Sequence, residues 1–260
     1  MTHDLGEEST HFGTEFGQLH GGYFSNPDVA KPLLDAAVDA WYESQAGGVV
    51  DLGGGTGFLL SQLKARGLTP EPAYVNLDGS SAQLEVAQTG GIPTVCGSVE
   101  SFSRVDVVPP GEKALFLMRS VLHYFGEAGL MPVLRHLRSQ SRAGEIWIHQ
   151  TACFEQAEDA ACLSDVYQRI HTGKWYTTVA DLQARLSEAG WSVEECRPAP
   201  TLCLESADLG ARYGVGAEEL RRIRETVAAE FGEQSPVFRL TPEGFQADLR
   251  YHIFVCRASL

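Results

Sequence analysis

A carboxylate, a run of glycines and a second carboxylate about two dozen residues further on are the residues of this chain best placed to do chemistry. Val49 and Val50 lead into Asp51; Gly53-Gly54-Gly55-Thr56-Gly57 follows, and then an apolar stretch from Phe58 to Leu63. That order reads as a buried parallel strand, a tight loop and a helix beginning where the loop ends. Such a turn calls for backbone angles that side-chained residues avoid, and it lets a ligand come close to the main chain. The glycine spacing narrows the ligand. Gly53-x-Gly55-x-Gly57 is present, but Phe58 and Leu60 stand where a dinucleotide fingerprint wants a further glycine. No Lys-Ser or Lys-Thr follows, so the phosphate-cradling Walker pattern fails too. The second carboxylate, Asp78, ends an apolar segment that starts at Ala73. An acid at that place accepts ribose hydroxyls in doubly wound folds, although a strand-end aspartate can instead cap the next helix.

Asp51-Leu52-Gly53-Gly54-Gly55-Thr56-Gly57 resembles the first motif of the class I S-adenosylmethionine-dependent methyltransferases. The resemblance implies a glycine loop (Gly53, Gly55, Gly57) passing under the methionine part of the cofactor, with Asp51 orienting its amino group. It also implies that Asp78, beside Gly79, accepts both ribose hydroxyls in a charge-assisted bidentate contact. Val95-Cys96-Gly97-Ser98-Val99-Glu100 stands where that family commonly reads Gly-Asp-Ala-Glu, so Ser98 replaces the carboxylate that meets the adenine amino group. The Ser98 hydroxyl can accept the same bond and the main chain at Val99 can serve the ring nitrogen; a helix cap is the competing role for Ser98. Leu115 to Phe125 resembles the post-strand Val-Leu-His stretch of small-molecule methyltransferases. Arg119 and Ser120 are then expected in the cofactor pocket. His123 falls where the plant-type O-methyltransferase branch keeps its general base, and an imidazole titrating near neutrality suits that task. A packing or cofactor-shell histidine is the alternative.

Two aromatic stretches could close over a substrate, Gly17 to Phe24 and His171 to Thr178. His20, Tyr23, Tyr124, Trp175 and Tyr176 are the candidate substrate contacts, since aromatic faces stabilise a sulfonium by cation–π attraction. Core packing competes for each of them. No metal is expected: His149, Cys153, Cys162 and His171 match no zinc spacing. Gly-x-Ser-x-Gly is also absent, which argues against a serine nucleophile.

The elements that must position these residues follow from length and pattern. The chain has 260 residues, 43% of them hydrophobic, enough for one generous α/β domain. Its formal net charge of −14 disfavours nucleic acid and anionic membrane partners, and Arg221-Arg222-Ile223-Arg224 lies among glutamates as a solvated helix face. No apolar run approaches the roughly 20 residues a membrane span needs. The polar start, Met1 to Glu15, is unlike a secretory signal, and six cysteines without a C-x-x-C pair suggest reduced thiols and a cytoplasmic location. Helical spacing runs from Pro27 to Trp41, and strands are expected near 49–51, 73–78, 92–96, 113–118, 145–149, 191–196 and 250–256.

The expected fold is therefore α/β: a Rossmann-like, seven-stranded, mostly parallel doubly wound sheet, with the antiparallel last strand that the resemblance implies. Residues 1–45 form a helical N-terminal element and 46–260 the methyltransferase domain, with a cap insertion at about 203–246 between strands six and seven. The expected activity is transfer of a methyl group from S-adenosylmethionine to O, N or C of a small molecule, leaving S-adenosylhomocysteine. The alternatives are a non-catalytic S-adenosylmethionine-binding regulator or a non-methylating enzyme on the same fold. Assembly as a homodimer is left open.

Overall fold

A computed structural model of the chain describes residues 19–69 and 71–260. Met1–Gln18, which hold the polar start, the beginning of the N-terminal element and part of the first aromatic stretch, lie outside the described residues. The scaffold is one twisted sheet. Its principal strands are β1 (Gly48–Leu52), β2 (Ala73–Asp78), β3 (Thr94–Cys96), β4 (Ala114–Arg119), β5 (Ile146–Phe154), β7 (Trp191–Glu205) and β9 (Phe245–Ala258). They lie in the order β3-β2-β1-β4-β5-β9-β7. The first five pair in parallel, and β9 runs antiparallel between β5 and β7. Two short strands add to these: β6 (Thr177–Thr178) beside the end of β5, and β8 (Phe238–Leu240) beside β9. The chain reverses its direction of travel across the sheet between β1 and β4, the switch point at which doubly wound folds bind ligands.

Helices cover both faces, which is why β1 and β4 are buried along their whole length and are apolar apart from Asp51 and Arg119. Helix α1 (Pro27–Ser44) has Asn26 as its N-cap, accepting from the Asp28 amide at 2.9 Å, and Pro27 in its first turn. Its Leu33, Leu34 and Ala37 pack with Val49, Leu115, Leu117, Ile146 and Ile148 and with α2 (Phe58–Ala65). The opposite sheet face, Val50, Phe116, Met118 and Trp147, packs against α5 (Gly126–Ser139) and α7 (Val179–Glu188). Helices α3 (Ser81–Thr89) and α4 (Arg104–Val107) follow β2 and β3. None of the helices among the described residues is long and apolar enough to cross a membrane.

The largest difference from expectation lies at the far edge of the sheet. β5 continues past His149 to Phe154, and a helix absent from the sequence reading, α6 (Ala157–Arg169), follows it. β7 and β9 remain paired as far as Glu205 and Gln246, so the expected insertion, 203–246, begins and ends inside paired strands. Between the arms lie α8 (Ser206–Tyr213), α9 (Ala217–Phe231) and β8. Pro198 and Pro200 make β7 look interrupted, but the strand is an edge with a register shift between Ala199 and Leu202, where missing donors are tolerated. Leu202, Leu204, Phe245, Ala247 and Leu249 form a second core with α6, and Ile223 and Val227 of α9 enter it. Ile223→Ala is therefore expected to lower the unfolding free energy by about 2–4 kcal/mol in urea denaturation. A loss within about 0.5 kcal/mol, typical of surface positions, would mean that α9 is only a cover.

Candidate functional site

The glycine loop is held from beneath by the strand next to it. The Gly53 amide donates to the Leu77 carbonyl at 2.7 Å, and the Asn76 side-chain amide donates to the Gly55 carbonyl at 2.8 Å. Gly53 has φ +72°, and a Cβ there would meet Val121 Cγ2 at 2.7 Å, so neither its conformation nor its surroundings admit a side chain. Asp78 closes the loop from the other side. One of its oxygens accepts from the Gly55 amide at 2.9 Å and the other from the Ser80 amide at 2.8 Å. Asn76 was not singled out from the sequence; a polar residue inside the apolar run Val75-Asn76-Leu77 was the signal that could have found it.

Below the loop sits a carboxyl group without a hydrogen-bond partner among the described residues: Asp51 is fully buried, and neither of its oxygens is paired. Burial pushes its pKa up to about 7; the neighbouring Asp78 charge adds to that and Arg119 opposes it. Burial also raises Asp78, against the amides of Ser80, Gly55 and Gly79. Arg119 is 9% exposed at the end of β4, and its own burial lowers its pKa. Its Nη1 donates to the Phe24 carbonyl at 3.1 Å and its Nη2 to the Tyr23 carbonyl at 3.3 Å.

These groups surround a cavity of about 350 Å³ at the carboxyl ends of β1, β2, β3 and β4. Asp51, Gly53, Gly55, Asp78 and Gly79 line it, as do Ser98, Val99, Arg119, Ser120 and Tyr124. The Ser98 hydroxyl accepts from the Glu100 amide at 3.2 Å, which turns the chain at that wall. Ser120 is a non-glycine residue with φ +61°, held by its amide on the Gln150 carbonyl at 2.8 Å and by its hydroxyl against that of Tyr251 at 2.8 Å. Phe24, the last residue of the stretch expected to close over a substrate, joins the walls, as do Ser25 and Gln83, which sequence reasoning did not connect to the site.

Six candidates stand outside the cavity lining. Gly57 begins α2 and a Cβ there would press on Ala87 at 3.1 Å, so it serves helix packing. His123 is buried on the one-turn 3-10 helix Leu122–Phe125 directly after β4. Its ring lies 4.3 Å from Tyr124, which lines the cavity, and stacks at 5.5 Å on Tyr176. Trp175 donates its amide to the His123 carbonyl at 3.1 Å and turns its ring under Arg185. Tyr23 stacks at 5.7 Å on Tyr251 and gives its hydroxyl to the Pro200 carbonyl, while His20 contacts Arg212. Lys174, next to Trp175, stands 4.5 Å from the Tyr124 ring centre and 5.0 Å from that of Tyr213; the sequence reading passed it over. Among the described residues no group of three or more metal-ligating side chains converges. His149 is stacked between Trp147 and Phe254, and burial holds its pKa down at about 3.

No protein-family model matches the chain. It is 27% identical over 211 residues to an O-demethylpuromycin-O-methyltransferase of Streptomyces alboniger, an alignment covering 74% of this chain and 54% of the relative. The chain spans 54% and 62% of the length of the two curated relatives it matches. Among solved structures, a protein of Bacillus halodurans C-125 classed as a methyltransferase superposes with a TM-score of 0.66 at 15% identity, covering 90% of this chain and 100% of the other. A Geobacter sulfurreducens S-adenosylmethionine-dependent methyltransferase in complex with S-adenosylhomocysteine gives 0.54 at 15% identity, covering 96% and 97%. The chain has the class I methyltransferase fold.

Within that fold the cavity favours one ligand chemistry over another. Two carboxylates, Asp51 and Asp78, stand against one guanidinium, Arg119, on the cavity wall. A pyrophosphate would be set beside those carboxylates, whereas a sulfonium with an ammonium group meets attraction. The bare carboxylate of Asp51 fits the amino group of an amino-acid cofactor, and Asp78 keeps lone pairs for ribose hydroxyls after its two amide bonds.

Proposed function

We propose that the protein binds S-adenosylmethionine in this cavity and transfers a methyl group to a nucleophilic atom of a cytoplasmic small molecule, with S-adenosylhomocysteine as the product. The buried Asp51 carboxylate without a partner, beneath a glycine loop and beside Asp78, carries the reading. Bound S-adenosylmethionine supplies an electrophilic methyl group. The chain's residues then have three tasks. Asp51 would hold the ammonium end, Asp78 the ribose, and Ser98 with Val99 the adenine, following the strand order β1, β2, β3. An acceptor has to approach from the β4 side, where Phe24, Tyr124 and Phe125 form an aromatic wall. Holding nucleophile, carbon and sulfur in line is the main contribution, because the methyl group is already activated. His123, behind Tyr124, would take the proton that a hydroxyl acceptor loses. The name of the Streptomyces relative, an O-methyltransferase, supports oxygen as the accepting atom.

Calorimetric titration with S-adenosylmethionine, followed by an assay of S-adenosylhomocysteine release over a panel of phenols, tests this. Selective binding and turnover are expected. Tight binding of nicotinamide dinucleotide with none of S-adenosylmethionine would sink the proposal; binding without release from any phenol would favour a regulator or a non-methylating enzyme.

The Asp51 role has a pH signature. Its pKa is raised to about 7, so the cofactor-free protein keeps this carboxyl protonated below that pH. That contribution to folding stability is fully present below the unfolded value, near 4, and is lost as pH rises through about 7. An ammonium ligand needs the carboxylate, so affinity for S-adenosylhomocysteine is expected to fall by about tenfold per pH unit below the raised value. Asp51→Asn should flatten that slope in titrations from acid to neutral pH. An unchanged slope would assign the proton to another group.

A further inference from the structure

Asp51 and Arg119 end adjacent parallel strands. Asp51 pairs with Leu117, and Arg119 lies two residues beyond it, so both point to the same face of the sheet. Both line the cavity, both are more than nine-tenths buried, and each keeps an unanswered polar atom: the two carboxylate oxygens of Asp51 and the Nε of Arg119. A guanidinium in a pocket that takes a sulfonium is unfavourable unless an anion stands between the two cations. The amino-acid end of the ligand carries one, since its α-carbon bears a carboxylate next to the ammonium.

Resting on the function proposed above, we infer that Arg119 is a double-sided latch: its Nε edge reads the α-carboxylate of the cofactor while its Nη atoms hold the turn Tyr23–Ser25 closed over the cavity. The second side is visible in the structure. Nη1 and Nη2 donate to the carbonyls of Phe24 and Tyr23, and the guanidinium lies 5.2 Å from the ring centre of Phe24 and 5.3 Å from that of Tyr23. Phe24 and Ser25 are themselves cavity wall. The turn is anchored at its other end, where Tyr23 stacks on Tyr251 and bonds to Pro200. An occupied Nε fixes the plane of the guanidinium, and with it the fork that holds both carbonyls. Ligand chemistry is thereby coupled to closure. Ligands that lack the carboxylate should bind more weakly and leave the turn loose.

The test compares S-adenosylhomocysteine with S-adenosyl-3-thiopropylamine, which differs only in lacking the carboxylate. Wild-type protein is expected to prefer the former by about 30-fold, the scale of one charge-assisted hydrogen bond. Amide hydrogen exchange at residues 23–26 should slow with the first ligand and not with the second. Arg119→Met should reduce the preference to less than about threefold. Arg119→Lys should keep part of the preference, because the charge remains, and lose the protection, because the fork is gone. Equal affinity of wild-type protein for both ligands, equal protection by both, or a preference that survives in Arg119→Met would each overturn the latch. The wild-type comparison decides the matter even where a variant does not fold. Failure of wild-type protein to bind either ligand would instead remove the cofactor reading itself, which is a separate outcome.

Discussion

His123→Ala is expected to lower turnover by about a hundredfold or more and to leave affinity for S-adenosylhomocysteine within about threefold. The histidine follows β4 on a short turn, buried with its ring between Tyr176 and Tyr124. Tyr124 is shared: one neighbour is the imidazole, and the ring also forms part of the cavity wall. A base there would act at the acceptor side and not on the adenosyl group, hence the split between kcat and cofactor affinity. The assay is S-adenosylhomocysteine release from a phenol across pH. At saturating S-adenosylmethionine, where the Asp51 ionisation no longer limits binding, wild-type kcat should show an acid limb that His123→Ala lacks, because a neutral imidazole is required to accept the proton. A variant with near-normal turnover and a lowered melting temperature would leave His123 with a packing role.

Asp78→Ala is expected to weaken S-adenosylhomocysteine binding by about 2–3 kcal/mol, or about 30–150-fold. Two losses combine. The ribose hydroxyls lose their acceptor, and the Gly55 and Ser80 amides lose theirs, which loosens the glycine loop. Asp78→Asn separates them, since one acceptor oxygen remains while the charge disappears, and an intermediate loss is expected. Titration calorimetry reads both. An unchanged dissociation constant in Asp78→Ala would leave this residue with its capping role alone.

Much of the part of the cavity built by the glycines and carboxylates was legible because it is local. Asp51, the glycines and Asp78 lie on consecutive strand ends, and a short stretch of chain fixes their relation. Ser98, Arg119 and Ser120 reach the cavity from the ends of β3 and β4, as a doubly wound sheet requires. The aromatic part of the cavity was less legible because its pieces meet only in three dimensions. Phe24 comes to the cavity through Arg119, and Tyr251 meets Ser120 because β9 inserts between β5 and β7. His20, Trp175 and Tyr176 were chosen as aromatic residues near a helix start, and that pattern does not tell a cavity wall from the packing behind it. The long arms of β7 and β9 were hidden by Pro198 and Pro200, although Leu202 and Leu204 resume the alternation beyond them. In α6, the cysteine at 162 drew attention to ligand spacing, while Ala160, Leu163, Val166 and Tyr167 already formed a helical stripe.

The two prolines also bear on how this molecule meets its own kind. β7 is an outer strand of the sheet, and an outer strand of this length is a template on which another chain can extend the hydrogen-bonded ladder. Pro198 and Pro200 remove donors at alternate positions, and the register shift beside them twists the rim away from a flat approach. Along this stretch of β7, continuing one molecule's strand into the next is therefore disfavoured.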